Sequence, residues 1–416
     1  MRDWINNDNA TYGNKVYKLM GDIDFTGEPN WIPIGVSKNS REFKGIFDGN
    51  GKLIKNIKIG SEGIQVDLEN AGLFGAVSGA EVKNVGVYWI QINVSFCAGG
   101  IIGYASGSSI SNCYSNGSIK AAKVGGIVGE AINSEITNCY SKGSNYGVNC
   151  SGGIVGESNS NIIDCYSIGN ISGANYTGGI AGKASKIQNC YSTGNIYGGS
   201  YTGGIVGDAS LIINCYSLGK ISRNTELSFS SGFSFGGITS IVTAKIINCY
   251  SSGDIIADSP NISASAGGIA AAIHTGAIIN CYSAGNISSI ARGHASAGGI
   301  VSFCDNCSIL NCYSSGSISS TTNYSGLVDD VSEESNCGGI SGDAYYTSTI
   351  KNCLALNKSL ISICAYKLSF AYANRISNSH DLTLISKDNY SNSTMTVKKG
   401  TTVSNLNMVT DFTNKV

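Results

Sequence analysis

An all-β chain wound as a right-handed parallel β-helix (a solenoid) of about ten coils, with non-repeating N- and C-terminal segments, is the fold class the sequence predicts. Three observations carry it. The phrase N-C-Y-S recurs with its cysteine at Cys113, Cys139, Cys165, Cys190, Cys215, Cys249, Cys281 and Cys312, and a degenerate N-C-L-A adds Cys353. A Gly-Gly pair precedes each copy, starting at Gly99, Gly125, Gly152, Gly178, Gly203, Gly236, Gly267, Gly298 and Gly338. No apolar run keeps the 3.6-residue period that an amphipathic helix needs.

The cysteines are spaced 26, 26, 25 and 25 residues apart, and then 34, 32, 31 and 41. Each unit holds two short β-like runs, such as "GGIVGE" and "ITNCYSKG", punctuated by Gly, Asn and Ser. A unit of this size cannot bury its own apolar face, but stacked on its neighbours it can. Successive turns would then lie roughly 4.8 Å apart. The handedness is taken by analogy with most folds of this kind. Residues 1–42 are assigned to a lead-in or cap, 43–365 to the repeats and 366–416 to a trailing segment, with "FKGIFDGNGKLIKNIKI" as the first turn.

Strand parity divides inside from outside. Cys113, Ser115 and Ile119 share one parity, and Ile recurs at the last of these positions as Ile171, Ile196, Ile221, Ile287 and Ile318. The cysteine column should therefore point inward as packed free thiols, since cysteine behaves as a small, commonly buried residue. The third position of "GGIVG", Ile in every copy from Ile101 to Ile340, should be core as well. The tyrosines after the cysteines, Tyr114, Tyr140, Tyr166, Tyr191 and Tyr216 among them, should point outward. Asn112, Asn138, Asn189 and Asn214, with Asp164 in the same column, precede the cysteines. Asn tolerates a left-handed bend, and stacked amides can bond from turn to turn.

Composition narrows the function classes. A formal net charge of -1 gives no electrostatic reason to expect nucleic acid. The apolar stretches fall short of the ~20 residues that cross a bilayer, so no membrane insertion is expected within this chain. The opening "MRDWINNDNATYG" lacks a basic segment followed by an apolar one, so it does not read as a secretory signal. No G-x-x-x-x-G-K-S/T occurs, and glycines that recur at every turn read as structural. No cofactor is expected.

The recurring "GGIVG" followed by "I-x-N-C-Y-S-x-G-x-I" resembles the GLUG motif of bacterial surface proteins, which occurs in adhesin-like proteins and some immunoglobulin A peptidases. The stretch "YKLMGDIDFTGEPNWIPIGVSKNSREFKGIFDGNGKLIKNIKI" resembles the lead-in to such repeats, and "NRISNS…NYSNSTMTV" their trailing segment. The resemblance implies a secreted or cell-surface protein. It does not carry proteolysis with it. His274, His294 and His380 sit in no H-E-x-x-H motif.

The expected function is a non-enzymatic surface or secreted adhesin or scaffold, whose β-helix displays loops for a host protein or glycan ligand. The alternative is a carbohydrate-active enzyme, a polysaccharide lyase or hydrolase, on the same fold. Three features could carry binding or chemistry. The outward tyrosines could stack sugars or dock a protein. The longer coils insert residues 222–235, 256–266, 288–297 and 319–337, which should emerge on one side. The last insert contains Asp329, Asp330, Glu333 and Glu334, which could bind calcium or work on a polysaccharide. Cys304 and Cys307 form a lone C-x-x-C, a weak metal signal, so no metal site is assigned. The row Glu130, Glu157, Lys183 and Asp208 reads as a solvated outward face.

Overall fold

The computed structural model describes residues 1–37, 41–225, 232–260, 263–323, 334–345, 347–364, 370–379, 385–392, 394–400 and 407–408. The chain divides into two compact units, Met1–Asn195 and Ile196–Val416, each a parallel β-helix.

The first unit opens with two short helices, Arg2–Asn7 and Asn9–Tyr12. Asp8 caps the second through a hydrogen bond from the Thr11 amide, 3.2 Å long. Strand pairing begins ahead of residue 43, because Val16–Lys18 already lies parallel to Ile46–Asp48. The long strand Ile46–Lys55 then pairs with Glu81–Asn93, and that strand with Tyr114–Gly125. Further on the coils repeat in register. Tyr114 lies beside Tyr140, Tyr140 beside Tyr166, and Tyr166 beside Tyr191.

Parity places the core as the sequence predicts. Cys113, Cys139, Cys165 and Cys190 are fully buried, as are Ile101, Ile127, Ile154 and Ile180. Asn112, Asn138, Asp164 and Asn189 all have φ between 50 and 54°, the left-handed bend that turns the chain between strands. Asn112 Nδ2 donates to Asn84 Oδ1 at 3.1 Å, Asn84 Nδ2 to Asp48 Oδ1 at 3.0 Å, and Asn189 Nδ2 to Asp164 Oδ1 at 2.9 Å.

This bend explains the cysteine. The amide after a left-handed residue leaves the regular ladder, yet it is buried and needs an acceptor. The Cys139 N–H donates to Cys165 Sγ, and the Cys165 N–H to Cys190 Sγ, both at 3.4 Å. Each thiol in turn donates to the carbonyl two residues back, as Cys139 does to Thr137 at 3.2 Å. The side chain thus fills apolar space while serving as both acceptor and donor.

The Gly-Gly pair has a steric cause. A Cβ on Gly153 would lie 2.1 Å from the Gly179 carbonyl oxygen and 2.2 Å from Ser167 Oγ. The buried serine of each N-C-Y-S phrase occupies the space a side chain there would need, so the second glycine of the pair is obligatory.

The second unit repeats this scheme with longer coils. Cys215, Cys249, Cys281, Cys312 and Cys353 are at most 2% exposed. Asn248 bonds Asn214, Asn280 bonds Asn248, Asn311 bonds Asn280 and Asn352 bonds Asn311, at 3.0–3.2 Å. The amides of Cys215 and Cys249 donate to the sulfur of the next cysteine at 3.4 Å. At Cys353 the acceptor becomes Asn389 Oδ1, 2.9 Å away. Pairing continues past residue 365, with Phe370–Asn374 parallel to Glu334–Gly338 and Thr396–Gly400 parallel to the strand Ser359–Cys364.

The extra residues of these coils do not form the surface loop expected at 288–297. They lengthen two strands, Ile287–Ala291 and His294–Gly298, where the first unit has only Ile171–Gly173 and Tyr176–Gly178. Adding residues in twos keeps the parity, so Ile287, Ser289 and Ala291 all face inward and are buried. The coil grows wider.

Candidate functional site

The expected tyrosines are half-buried on the outer face. In the first unit the ring centroids of Tyr114, Tyr140, Tyr166 and Tyr191 follow one another at 4.8–4.9 Å, with planes within 7° of parallel. In the second, Tyr216, Tyr250, Tyr282 and Tyr313 follow at 4.5–5.3 Å. The ring faces therefore lie against each other, and the edges and hydroxyls meet solvent. Of the acidic group, Asp329, Asp330 and Glu333 lie outside the described residues. Glu334 is half-buried, with Oε2 3.8 Å from His294 Nε2. Cys304 and Cys307 are joined as a disulfide. The remaining off-column cysteines, Cys97, Cys150, Cys337 and Cys364, are buried.

The structure brings together a set of residues that the sequence reading left apart. The chain bends at each Gly-Gly pair, so the outward residue two before the pair faces the one four after it. In the first unit the leading column runs Asn70, Cys97, Lys123, Cys150 and Tyr176. The trailing column runs Ala76, Tyr104, Glu130, Glu157 and Lys183. Together they form a groove across the coils. Glu130, Glu157 and Lys183, read from the sequence as part of a solvated row, form one of its walls.

Lys123 links the walls. Its Nζ lies 2.7 Å from Glu130 Oε1 and 2.7 Å from Glu157 Oε2. Burial works against the Lys123 ammonium, but the hydrogen bonds it donates to the two carboxylates prevail and raise its pKa well above the ordinary lysine value. Cys97 Sγ donates to Glu130 Oε2 at 3.5 Å. Burial first, and the Glu130 charge second, push the Cys97 thiol up to about 12. Burial and Glu157 do the same at Cys150, also to about 12. Both thiols are therefore neutral near pH 7. Further along, Lys183 Nζ sits 3.8 Å from the centre of the Tyr176 ring.

Toward Asn70 the groove deepens into a cavity of about 530 Å³. Glu42 and Ser37 line it beside Glu69, Phe96, Tyr104, Lys123 and Glu130. Among the described residues, no group of three or more His, Cys, Asp or Glu is placed to hold a metal ion. The cavity offers carboxylates, amides and aromatic surface, which suits non-covalent recognition. A sequence signal existed: Lys123 and Glu130 are opposite charges flanking one Gly-Gly pair, and Glu157 repeats the trailing position one coil on.

Residues 95–120, 121–146 and 173–197 match the GLUG motif. Among solved structures, the crystal structure of a candidate immunoglobulin A1 protease from Bacteroides ovatus is similar at 26% identity. The match covers 56% of this chain and 79% of that one, with a TM-score of 0.45. No curated protein matches the chain.

Proposed function

This chain is a GLUG-motif repeat protein, and we propose that it is a non-enzymatic binding scaffold, secreted or held at a cell surface, that takes a protein or glycan ligand in the groove beside its Gly-Gly bends. The surface or secreted setting rests on the company the GLUG motif keeps. The binding role rests on the groove, and above all on Lys123. Glycoside hydrolysis needs two carboxyl groups opposed across a substrate-sized gap, one of them protonated. Here Glu130 and Glu157 are both joined to one ammonium at 2.7 Å. That arrangement spends the nearest carboxylates on holding the groove's shape and leaves its mouth for recognition.

A glycan array and a panel of host proteins, combined with assays for reducing-end and unsaturated-sugar release, test the reading. Binding without product supports it. Product release abolished by Glu130→Gln would overturn it in favour of a carbohydrate-active enzyme.

A further inference from the structure

The cavity at the deep end of the groove has a lopsided charge. Among the described residues, three carboxylates, Glu42, Glu69 and Glu130, line it against one cation, Lys123. That cation is already shared between Glu130 and Glu157. The Glu42 side chain is only 20% exposed, and the cation it pairs with among the described residues, Lys44, stands 3.9 Å away at the edge of ion-pair range. Glu69 makes no ion pair among the described residues. A partly buried carboxylate with so distant a counter-ion favours an incoming positive charge.

The rest of the lining sets the shape of that charge's carrier. Phe96 is 56% exposed at the cavity although it is a large apolar side chain. Tyr104, Cys97 and Ala122 line the cavity as well. Aromatic and apolar surface leading to carboxylates matches a methylene stem that ends in a cation, and an aromatic face adds cation–π attraction. The polar groups that a sugar would use are partly engaged, since Asn70 Nδ2 donates to Ser37 Oγ at 2.8 Å.

We propose that this cavity binds the side chain of a lysine or arginine projecting from a protein ligand. This rests on the binding-scaffold reading and specifies its partner as a basic polypeptide segment. The stem lies along Phe96 and Tyr104, and the cationic head sits among Glu42, Glu69 and Glu130. The ligand's charge supplies what Lys123 alone leaves unbalanced.

The test is an NMR titration of the whole chain with a capped pentapeptide, Ala-Ala-Lys-Ala-Ala, the same peptide acetylated on the lysine Nε, and glucosamine. The lysine peptide should bind, and acetylation should weaken it by at least about tenfold, a loss of about 1.4 kcal/mol. Affinity should fall with added salt. The double variant Glu42→Gln, Glu69→Gln and the single variant Phe96→Ala should each weaken binding by a similar factor, with the thermal unfolding midpoint unchanged as the check on folding. Equal binding of the free and acetylated peptides would overturn the inference, as would preference for glucosamine. No peptide binding by a chain that still captures a glycan on the array would overturn the inference and leave the scaffold reading standing. No ligand in either format would count against both.

Discussion

The backbone N–H of Cys165 donates to Sγ of Cys190, one coil on and 3.4 Å away. The sulfur is thus a hydrogen-bond acceptor as well as filling. Replacing Cys190 by Ala leaves a buried amide without a partner and should cost about 1–3 kcal/mol. Cys190→Ser keeps an acceptor on the same stem and should cost less. Denaturant unfolding of the two variants decides the matter. Equal losses would reduce the cysteine to a space-filler.

At Gly153 the clash is with fixed atoms, the Gly179 carbonyl oxygen and the Ser167 side chain. Gly153→Ala should therefore destabilise by more than about 3 kcal/mol, since a backbone carbonyl cannot step aside. Gly21 is the control. A Cβ there meets nothing within 4 Å, so Gly21→Ala should change stability by less than about 0.5 kcal/mol. Thermal unfolding of both variants would show the contrast.

Alkaline pH should loosen the fold in a definite window. Burial first, helped by nearby carboxylates at Cys97 and Cys150, raises the Cys97, Cys150 and Cys337 thiols from an ordinary value of 9.0 to about 12. An unfolded chain loses those protons near 9.0, but the folded one holds them. Their contribution is thus fully present below that pH and is lost as pH climbs toward 12. The unfolding midpoint should fall steadily across this interval, and fall less in Cys337→Ala. A flat profile would mean that these thiols titrate alike in both states.

Thiol counting tests the burial directly. A neutral maleimide should label no cysteine in the native chain at pH 7, because thiolate is scarce and access is closed. After denaturation without reductant, the 13 described free cysteines should label. With reductant all 15 should, once the Cys304–Cys307 bond opens. Ready native labelling at Cys139 or Cys165 would contradict the packed column.

Much of the fold could be read from the repeated words. Isoleucine at one strand parity marked the core, and the spacing of N-C-Y-S set the coil. Three things escaped, each for a physical reason. Parity says whether a side chain leaves the strand inward or outward, but not how sharply the chain bends at Gly125. That bend aims Lys123 at Glu130, and it exists only in three dimensions. The stretch 288–297 looked like an insertion because the consensus phrases moved apart, yet strands lengthened by pairs of residues keep its inward positions inward. The boundaries at 43 and 365 followed the phrases. Strand pairing depends on backbone and alternation, which Val16–Lys18 and Thr396–Gly400 retain without any phrase.

Near-identical coils carry a hazard of mistaken identity. Tyr140 could settle on Tyr191 almost as well as on Tyr166, and a stack out of step by one coil would satisfy most of the same bonds. The departures from the pattern act as addresses. Asn145 stands in the isoleucine column between Ile119 and Ile171, and its Nδ2 is met by the Gly152 carbonyl at 2.7 Å. Beside it, Val148 and Asn149 stand where the previous coil has Ala122 alone, a bulge that fixes the register of these two coils. Lys123 finds a carboxylate in its own coil and in the next. A chain edited toward perfect consensus at these positions would keep its hydrogen bonds and lose its page numbers, and it should refold into a mixture of misaligned stacks.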